Sequence, residues 1–252
     1  MIQNAPLPVQ TLTLKGRSLV AERTMEFRFE RPPQMLFKAG QYVDLTLLFP
    51  PETDEVGDTR SFSICSAPDD EDLAIVTRLR DSAFKRSLQS MALGGGVQAE
   101  GPYGDFTLHH DPNRPAVLLA GGIGVTPFRS MVRQHARRGS TRQILLFHSN
   151  RRPEDAAYLG EFREVARENP NFTFVPTMSR PETSSLPWEG EIGRIEYDLI
   201  TKHLREGAFE DAAAPPMFYI AGPPRMVADL RQMLSDSGIG DDDIRIEEFT
   251  GY

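Results

Sequence analysis

The spacing of hydrophobic and polar residues divides the 252-residue chain into two parts. Up to about residue 110, short stretches alternate apolar and polar positions between turn residues; in TMEFRFE, Met25, Phe27 and Phe29 fall on one face. This alternation is typical of half-buried antiparallel strands and predicts a sheet closed into a barrel or sandwich. Strands are predicted at 11–14, 26–29, 42–48, 73–79 and 97–100, with one helix at 84–93 that ends at the glycines 94–96.

Beyond the polar, proline-containing link HHDPNRP, apolar runs alternate with segments of helical periodicity. Strands are predicted at 116–119, 144–148, 172–177, 217–221 and 244–249, with helices at 127–138, 154–168 and 224–235 and a loop at 182–190. Strands alternating with helices indicate crossover connections and a mainly parallel sheet. The pattern therefore predicts domains at 1–110 and 111–252.

The segment LLAGGIGVTPF contains a glycine-rich turn between the first apolar run of the second domain and its first helix. Backbone N–H groups at such a helix start can bind a phosphate or a carboxamide. Pro127 suits a first helical position because its missing N–H has no intrahelical acceptor there. A tight structural turn between strand and helix is the alternative, and short glycine patterns alone do not separate the two.

Two segments of the first domain combine cations with hydroxyl groups. RSFSICS places Arg60, an aromatic ring and two serines on one strand, which can bind a phosphate and a flat ring; a strand with an exposed arginine and an inward Phe62 is the alternative. In RDSAFKRSL, Ser82 can cap a helix whose first turn carries Lys85 and Arg86. Cations at a helix N-terminus are unfavourable without an anion, so this segment favours anion binding.

Taken in order with GPYGDF, AGPPRM and the terminal EEFTGY, these segments resemble the ferredoxin–NADP reductase superfamily along nearly the whole chain. RSFS is similar to the flavin motif of that family, AGGIGVTPF to its nicotinamide loop and AGPP to its strand-end GPP motif. The resemblance implies an N-terminal antiparallel Greek-key β-barrel that binds flavin and a C-terminal Rossmann-like parallel α/β sheet that binds the pyridine nucleotide. It also implies FAD and NAD(P)H as cofactors, with FMN in place of FAD left open.

The resemblance implies a role for individual residues. Arg60 is expected to pair with the flavin pyrophosphate, Phe62 to pack against the flavin and Ser63 to hydrogen-bond near its N5 atom. Ser63 and Glu247 are the catalytic candidates, since the glutamate is expected to orient the nicotinamide or relay a proton. The remaining residues expected to bind a cofactor are Ser61, Thr77, Phe84, Lys85, Arg86, Gly121, Gly122, Gly124, Thr126, Pro127, Ser179, Arg180, Gly222, Pro223, Phe249 and Tyr252.

Four departures or ambiguities accompany the resemblance. Many members have Thr-Ser where this chain has Lys85 and Arg86, so the backbone donors are expected to remain while the roles of these two side chains stay open. Many members also have cysteine where this chain has Ala221, which predicts slower or differently tuned hydride transfer. Either terminal ring, Phe249 or Tyr252, can cover the flavin or its adenine. Ser179 and Arg180 resemble the pair that holds the 2′-phosphate of NADPH, whereas Asp155 disfavours a second dianion or caps a helix; the balance leans slightly to NADPH over NADH.

Composition limits the partners. With 36 acidic and 28 basic residues the chain carries a formal charge of −8, which argues against nucleic-acid binding. Its one cysteine, expected to be buried, excludes an iron–sulfur cluster held by several thiolates of this chain. The five histidines lack ligand spacing, so no metal is predicted. The absence of a signal-peptide pattern and of a membrane-length apolar run predicts a cytoplasmic protein with no integral membrane segment.

Together these features predict an NAD(P)H:acceptor oxidoreductase that passes electrons from FAD to a separate protein, such as a ferredoxin, an oxygenase component or a cytochrome. Two alternatives remain open at this point. One is a flavin reductase that releases free reduced flavin, and the other is a non-catalytic docking or electron-transfer subunit.

Overall fold

The computed structural model describes residues 9–206, 209 and 214–250, which form two six-stranded sheets. The first sheet is antiparallel, with strand order β4-β3-β6-β1-β2-β5. Its elements are β1 (Gln10–Ala21), β2 (Thr24–Glu30), β3 (Tyr42–Leu47), β4 (Thr59–Ser63), β5 (Asp72–Arg78), α1 (Ala83–Ser90) and β6 (Gly96–Tyr103). The chain passes from edge strand β5 through α1 to β6 inside the sheet, the long connection of a Greek key.

The alternating residues of the first domain build its core. Phe27 and Phe29 are fully buried, as the pattern of TMEFRFE predicts. The sheet curls so that its two edge strands approach each other, and just beyond β4 the Cys65 N–H donates to the Ala74 carbonyl at 2.9 Å. The sheet is therefore a barrel that is not completely closed, because β4 and β5 form no continuous ladder within the described residues.

The second sheet is parallel, with strand order β10-β9-β8-β7-β11-β12. Its strands are β7 (Ala116–Gly121), β8 (Ile144–Asn150), β9 (Phe172–Met178), β10 (Glu191–Ile192), β11 (Met217–Gly222) and β12 (Ile244–Glu248). Its helices are α2 (Val125–Arg137), α3 (Leu159–Glu168), α4 (Tyr197–Leu204) and α5 (Pro224–Asp236). All six residues of β7 are buried, which explains why the central strands read as continuous apolar runs.

Several boundaries differ from the prediction. Helix α2 begins at Val125, so Pro127 lies within its first turn, where a missing N–H still leaves no helical hydrogen bond unmade. The helix predicted at 154–168 is interrupted, because Tyr158 has a positive φ of 61° and α3 begins after it. Strand β10 and helix α4 were not predicted, since they are short and partly polar.

The two sheets share an apolar cluster. Phe106, which follows the barrel, packs on Phe128 of α2 with 5.7 Å between ring centroids and on Tyr219 of β11 with 5.8 Å. Cys65 is fully buried in the same cluster, as expected, and burial raises the pKa of its thiol to about 12. In the part of the chain that the structure describes, no helix is long and apolar enough to cross a membrane.

Candidate functional site

A cleft of about 670 Å³ lies where the barrel meets the carboxyl edge of the parallel sheet. Strand β4, the start of α1 and the end of β5 form its barrel side, and the turn after β7 and the chain after β12 form the other. The lining residues are Asp54, Glu55, Val56, Arg60, Ser61, Phe62, Ser63, Val76, Thr77, Arg78, Arg80, Asp81, Ser82, Lys85, Ile123, Thr126, Phe249 and Thr250. Residues of both domains thus enclose one space.

Arg60 is held at the edge of the cleft by the preceding loop. Its guanidinium donates to the Gly57 carbonyl at 2.7 Å and pairs with Asp54 at 3.1 Å. The other carboxylate oxygen of Asp54 accepts from the Ala83 N–H, at the start of α1, at 3.2 Å. One carboxylate therefore engages both an arginine and a helix N-terminus, the two kinds of donor that bind phosphate groups.

The helix start carries the positive charge that the sequence indicates. Ser82 caps α1 by accepting from the Lys85 N–H at 3.3 Å, as predicted. Burial lowers the pKa of the half-buried Lys85 ammonium, and the nearby Arg80 and Arg60 lower it further. Because like charges are held together here, an anion entering this end of the cleft relieves their repulsion.

Within this helix, only one of the three predicted site residues faces the cleft. Lys85 lines it, whereas Phe84 is buried in the barrel core, 5.8 Å from Phe62 between ring centroids. The Arg86 guanidinium turns away and pairs with Glu52 at 2.6 Å and with Asp81. The side chains of Phe84 and Arg86 therefore do not line the cleft, and Phe62 presents its ring between the cleft and the core.

Ser63 and Glu247, 184 positions apart in the chain, meet across the domain boundary. The Ser63 hydroxyl donates to Glu247 Oε1 at 3.3 Å. Burial is the main cause that raises the pKa of the Glu247 carboxyl to about 7, while Ser63 opposes the rise and Asp105 adds to it. Its Oε2 atom has no hydrogen-bond partner among the described residues. The pair can therefore hold a proton beside the cleft near neutral pH.

The glycine-rich turn is shaped by close packing. A Cβ atom at Gly121 would lie 2.3 Å from the sulfur of Met226, and one at Gly124 would lie 2.3 Å from the Ala221 carbonyl oxygen. Gly122 has a φ of +53°, and its carbonyl accepts from buried His148 at 2.9 Å. Gly124 is therefore required by the approach of the Ala221 backbone and Gly122 is favoured by its positive φ, whereas at Gly121 the nearest atom belongs to the flexible side chain of Met226.

Residues beside the turn reach the cleft. Ile123 and Thr126 line it, and the Thr126 hydroxyl donates back to the Ile123 carbonyl at 3.1 Å. Pro127 is buried beneath them. These positions place the N-terminal turn of α2 opposite the barrel strand that carries Ser63.

The remaining predicted residues divide by position. Thr77, Ser61 and Phe249 line the cleft. The Gly222 carbonyl accepts from the Phe249 N–H at 2.9 Å and Pro223 precedes α5, and neither residue is among those that line the cleft. Tyr252 lies outside the described residues.

Ser179 and Arg180 lie at the same carboxyl edge of the sheet, directly after β9. Backbone hydrogen bonds of 2.9 Å join Ser179 to Asn150 and Arg180 to Arg151. Both arginines are exposed, and neither forms an ion pair within the described residues. Asp155, which argued against a dianion, pairs with Arg152 at 3.0 Å, so its charge is compensated locally.

Sequence reasoning missed part of the lining. The loop residues Asp54, Glu55 and Val56 precede the arginine motif in a stretch for which the sequence analysis made no prediction. Arg78 and Arg80 were missed as well, although their period-two spacing with Val76 was a usable signal. No group of three or more metal-binding side chains occurs among the described residues.

The fold is a barrel domain followed by a parallel α/β domain, and the cleft lies at the carboxyl edge of the parallel sheet, the place where open α/β sheets bind ligands. The family described as "Oxidoreductase NAD-binding domain" matches residues 118–232. Ferredoxin–NADP reductase B of Sorangium cellulosum (strain So ce56) is 32% identical, with 99% of this chain and 100% of the relative covered. This chain therefore belongs to the ferredoxin–NADP reductase superfamily.

Solved structures agree with this assignment. The Amycolatopsis cytochrome P450 reductase GcoB is 28% identical with a TM-score of 0.78, covering 97% of this chain and 71% of that one. A ferredoxin NADP⁺ reductase from Neisseria gonorrhoeae, solved with bound FAD and NADP, shares the fold at 23% identity and a TM-score of 0.75, covering 95% and 98%. The chain spans only 60% and 56% of two curated relatives, which are reductase components of phenol and propane monooxygenases.

The buried carboxyl makes a prediction about stability. Because the pKa of Glu247 is raised to about 7 in the folded protein, above its ordinary value of 4.5, the folded state retains a proton that the unfolded state loses. The associated stability is complete below pH 4.5 and is lost as the pH rises through 7. Glu247→Gln keeps the neutral form, so its melting temperature is expected to exceed that of the wild type at pH 8, and the difference to shrink at pH 5.

Glu248→Gln serves as the control, because Glu248 is the exposed neighbour on the same strand. It is expected to leave the pH dependence of the melting temperature unchanged. If Glu247→Gln leaves the pH dependence of the melting temperature the same as in the wild type, the Glu247 carboxyl is ionised and solvated.

Proposed function

We propose that this protein is an NAD(P)H-dependent flavoprotein reductase that binds FAD in the cleft and passes electrons to a separate acceptor. The observation that carries the proposal is the contact between Ser63 and Glu247 beside the glycine-rich turn. It joins the barrel strand suited to a flavin with the sheet edge suited to a nicotinamide. A flavin held there would supply the chemistry of hydride acceptance from a nicotinamide and of one-electron transfer onward.

The residues of the cleft fit FAD. Arg60, Lys85 and the start of α1 supply cationic and N–H donors for a pyrophosphate at one end. At the other end, Phe62, Ile123 and Phe249 provide apolar surface for a flat ring system. A cleft of about 670 Å³ has the size of a cofactor site.

The chain's own side chains orient the bound groups and hold a proton beside them. Ser63 presents its hydroxyl to the cleft while donating to Glu247, whose carboxyl is protonated below about pH 7. This pair is placed to hold a proton where the flavin ring is expected. Thr126 and Ile123 hold the opposite wall, where the helix N-terminus of α2 favours a polar nicotinamide group.

The acceptor is inferred from the relatives. Their names describe reductases of ferredoxin, of monooxygenases and of a cytochrome P450. The acceptor of this chain is accordingly a ferredoxin, an oxygenase component or a cytochrome. The single buried cysteine agrees with a redox centre held elsewhere.

The test is reduction under anaerobic conditions. The FAD-loaded protein, mixed with NADPH or NADH in a stopped-flow spectrometer, is expected to lose its flavin absorbance near 450 nm within seconds, on the usual scale of about 1–10³ s⁻¹ for enzyme turnover. A protein that retains oxidised flavin with both nucleotides would be a docking subunit, and the proposal would fail.

The exposed arginines at the sheet edge predict nucleotide preference. Arg180 and Arg151 are available to pair with a 2′-phosphate, so Arg180→Ala is expected to weaken NADPH binding at least tenfold and NADH binding less than twofold. The dissociation constants of NADPH and of NADH are both determined from flavin difference spectra. Arg167→Ala removes an exposed arginine of α3 away from this edge and is the matched control; equal losses for both nucleotides would refute the assignment.

A second function, flavin reductase with exchangeable flavin, is favoured by one observation. Asp54 occupies the Arg60 and Ala83 donors that a pyrophosphate needs, and thus competes with the cofactor. Asp54→Asn is therefore expected to lower the dissociation constant of FAD several-fold. Isothermal titration of the flavin-free protein measures this constant.

The control is Asp58→Asn, which removes the same charge from the same loop at a residue that forms no ion pair within the described residues. A similar gain in both variants would indicate a general charge effect. A dissociation constant of FAD in the nanomolar range for the wild type would show that the flavin is tightly bound, and it would contradict the second function.

A further inference from the structure

A buried charge cluster connects α2 to the barrel behind the cleft. The guanidinium of Arg129, a residue 9% exposed, pairs with Glu26 of β2 at 3.1 Å and with Glu161 of α3 at 2.9 Å. It also donates to the Cys65 carbonyl at 3.2 Å. One side chain thus joins both domains through three groups.

Tyr158 completes the cluster. Its ring lies under the Arg129 guanidinium at 3.9 Å, and its hydroxyl donates to Glu26 at 2.7 Å. Burial raises the pKa of the Tyr158 hydroxyl well above its ordinary value, so the residue remains a donor. The backbone of Tyr158 has a φ of 61°, a left-handed conformation that is unfavourable for a non-glycine residue. The structure tolerates this cost where the ring supports the arginine.

Stability alone does not explain such a cluster. Transferring charged groups from water into a protein interior is unfavourable for each ion, and apolar replacements of such a cluster are often as stable. A guanidinium that makes several directional bonds does, however, define the position of its partners closely. The cluster is therefore better suited to fixing geometry than to adding stability.

The geometry that it fixes concerns the cleft. Helix α2 starts at Val125, beside the glycine-rich turn, and one turn later Arg129 and Ser130 bond to the barrel segment that follows Ser63. The Ser130 hydroxyl donates to the Ser66 carbonyl at 2.6 Å, next to the bond from Arg129 to Cys65. These bonds join the two walls of the cleft within three residues of Ser63 and five residues of Val125.

We propose that Arg129 is a positioning residue that, with Ser130, sets the distance between the nicotinamide wall and the flavin wall of the cleft. The inference rests on the proposed function, since it specifies how the domains place the two rings. Hydride transfer requires reacting atoms about 3–3.5 Å apart, so a shift of about 1 Å between these walls slows the reaction strongly.

The variants separate position from folding. Arg129→Lys keeps the charge but cannot bond to Glu26, Glu161 and Cys65 together. If the lysine variant does not fold, the double variant Arg129→Met with Glu26→Gln replaces it. This double variant removes both charges of the pair and therefore leaves no unpaired buried carboxylate at Glu26. Ser130→Ala removes one bond without a change of charge. Arg138→Ala is the control, because Arg138 joins α2's end to Asp69 of the barrel at the exposed surface at 3.0 Å.

Three measurements are made on each FAD-loaded variant: the dissociation constant of NADP⁺, the long-wavelength charge-transfer absorbance of the nucleotide complex, and the rate of flavin reduction. Arg129→Lys or the double variant is expected to bind NADP⁺ within twofold of the wild type, to lose most of the charge-transfer absorbance and to be reduced at least tenfold more slowly. Ser130→Ala is expected to show a smaller change of the same kind, and Arg138→Ala none.

The outcomes distinguish this proposal from the proposed function. A wild-type protein that neither nucleotide reduces removes the proposed function itself. A wild type that is reduced rapidly, together with an unchanged charge-transfer band and rate in the folded Arg129 variants, overturns the positioning role alone. An equal loss of the charge-transfer band in Arg138→Ala also overturns the positioning role. The effect would then follow from the loss of any interdomain bond and would not be specific to Arg129.

Discussion

The close contact of Gly124 with the backbone of Ala221 is the constraint on which the site depends. A Cβ atom at Gly124 would lie 2.3 Å from the Ala221 carbonyl oxygen, so only glycine allows the turn after β7 to lie on the end of β11. Helix α2 starts at the next residue, and Ala221 is paired in register with Glu247 on β12. One approach of two backbones therefore sets the start of α2 and the place of the buried carboxyl.

The cleft gathers four cations and three carboxylates, although the chain as a whole is acidic. The protein carries a formal charge of −8, yet Arg60, Arg78, Arg80 and Lys85 line one cleft. The cations at the α1 start conflict with the helix dipole, and Asp54 from the neighbouring loop compensates them in this structure. Such local conflicts are expected where a protein binds a ligand of the opposite charge.

Much of the fold follows from local pattern, and the exceptions have physical causes. The central parallel strands are buried on both faces and read as apolar runs, so their positions were predicted closely. Helix α3 was predicted too early because its start depends on Tyr158, whose left-handed backbone is supported by Arg129 and Glu26. These partners are distant in sequence, and no local pattern indicates them.

In the candidate site, too, some residues were predicted from the sequence while others depend on partners that are distant in the chain. Motifs predicted Arg60, Ser63 and Glu247, because a resemblance carries residues that lie far apart in the chain. It did not predict the role of Asp54 or the direction in which Arg86 points. Side-chain direction on a short helix depends on which carboxylates come near it, and that is determined by the tertiary fold.

The two kinds of contact between the domains have different consequences. The apolar cluster around Phe106 and Phe128 is non-directional, so it holds the domains together while permitting small displacements. The bonds from Arg129 and Ser130 are directional and short, and they lie beside the cleft. Affinity between the domains and precision at the cleft are thus supplied by separate residues. A change in the apolar contacts should weaken the association broadly, while a change in the directional bonds should alter the geometry of the cleft with little loss of association.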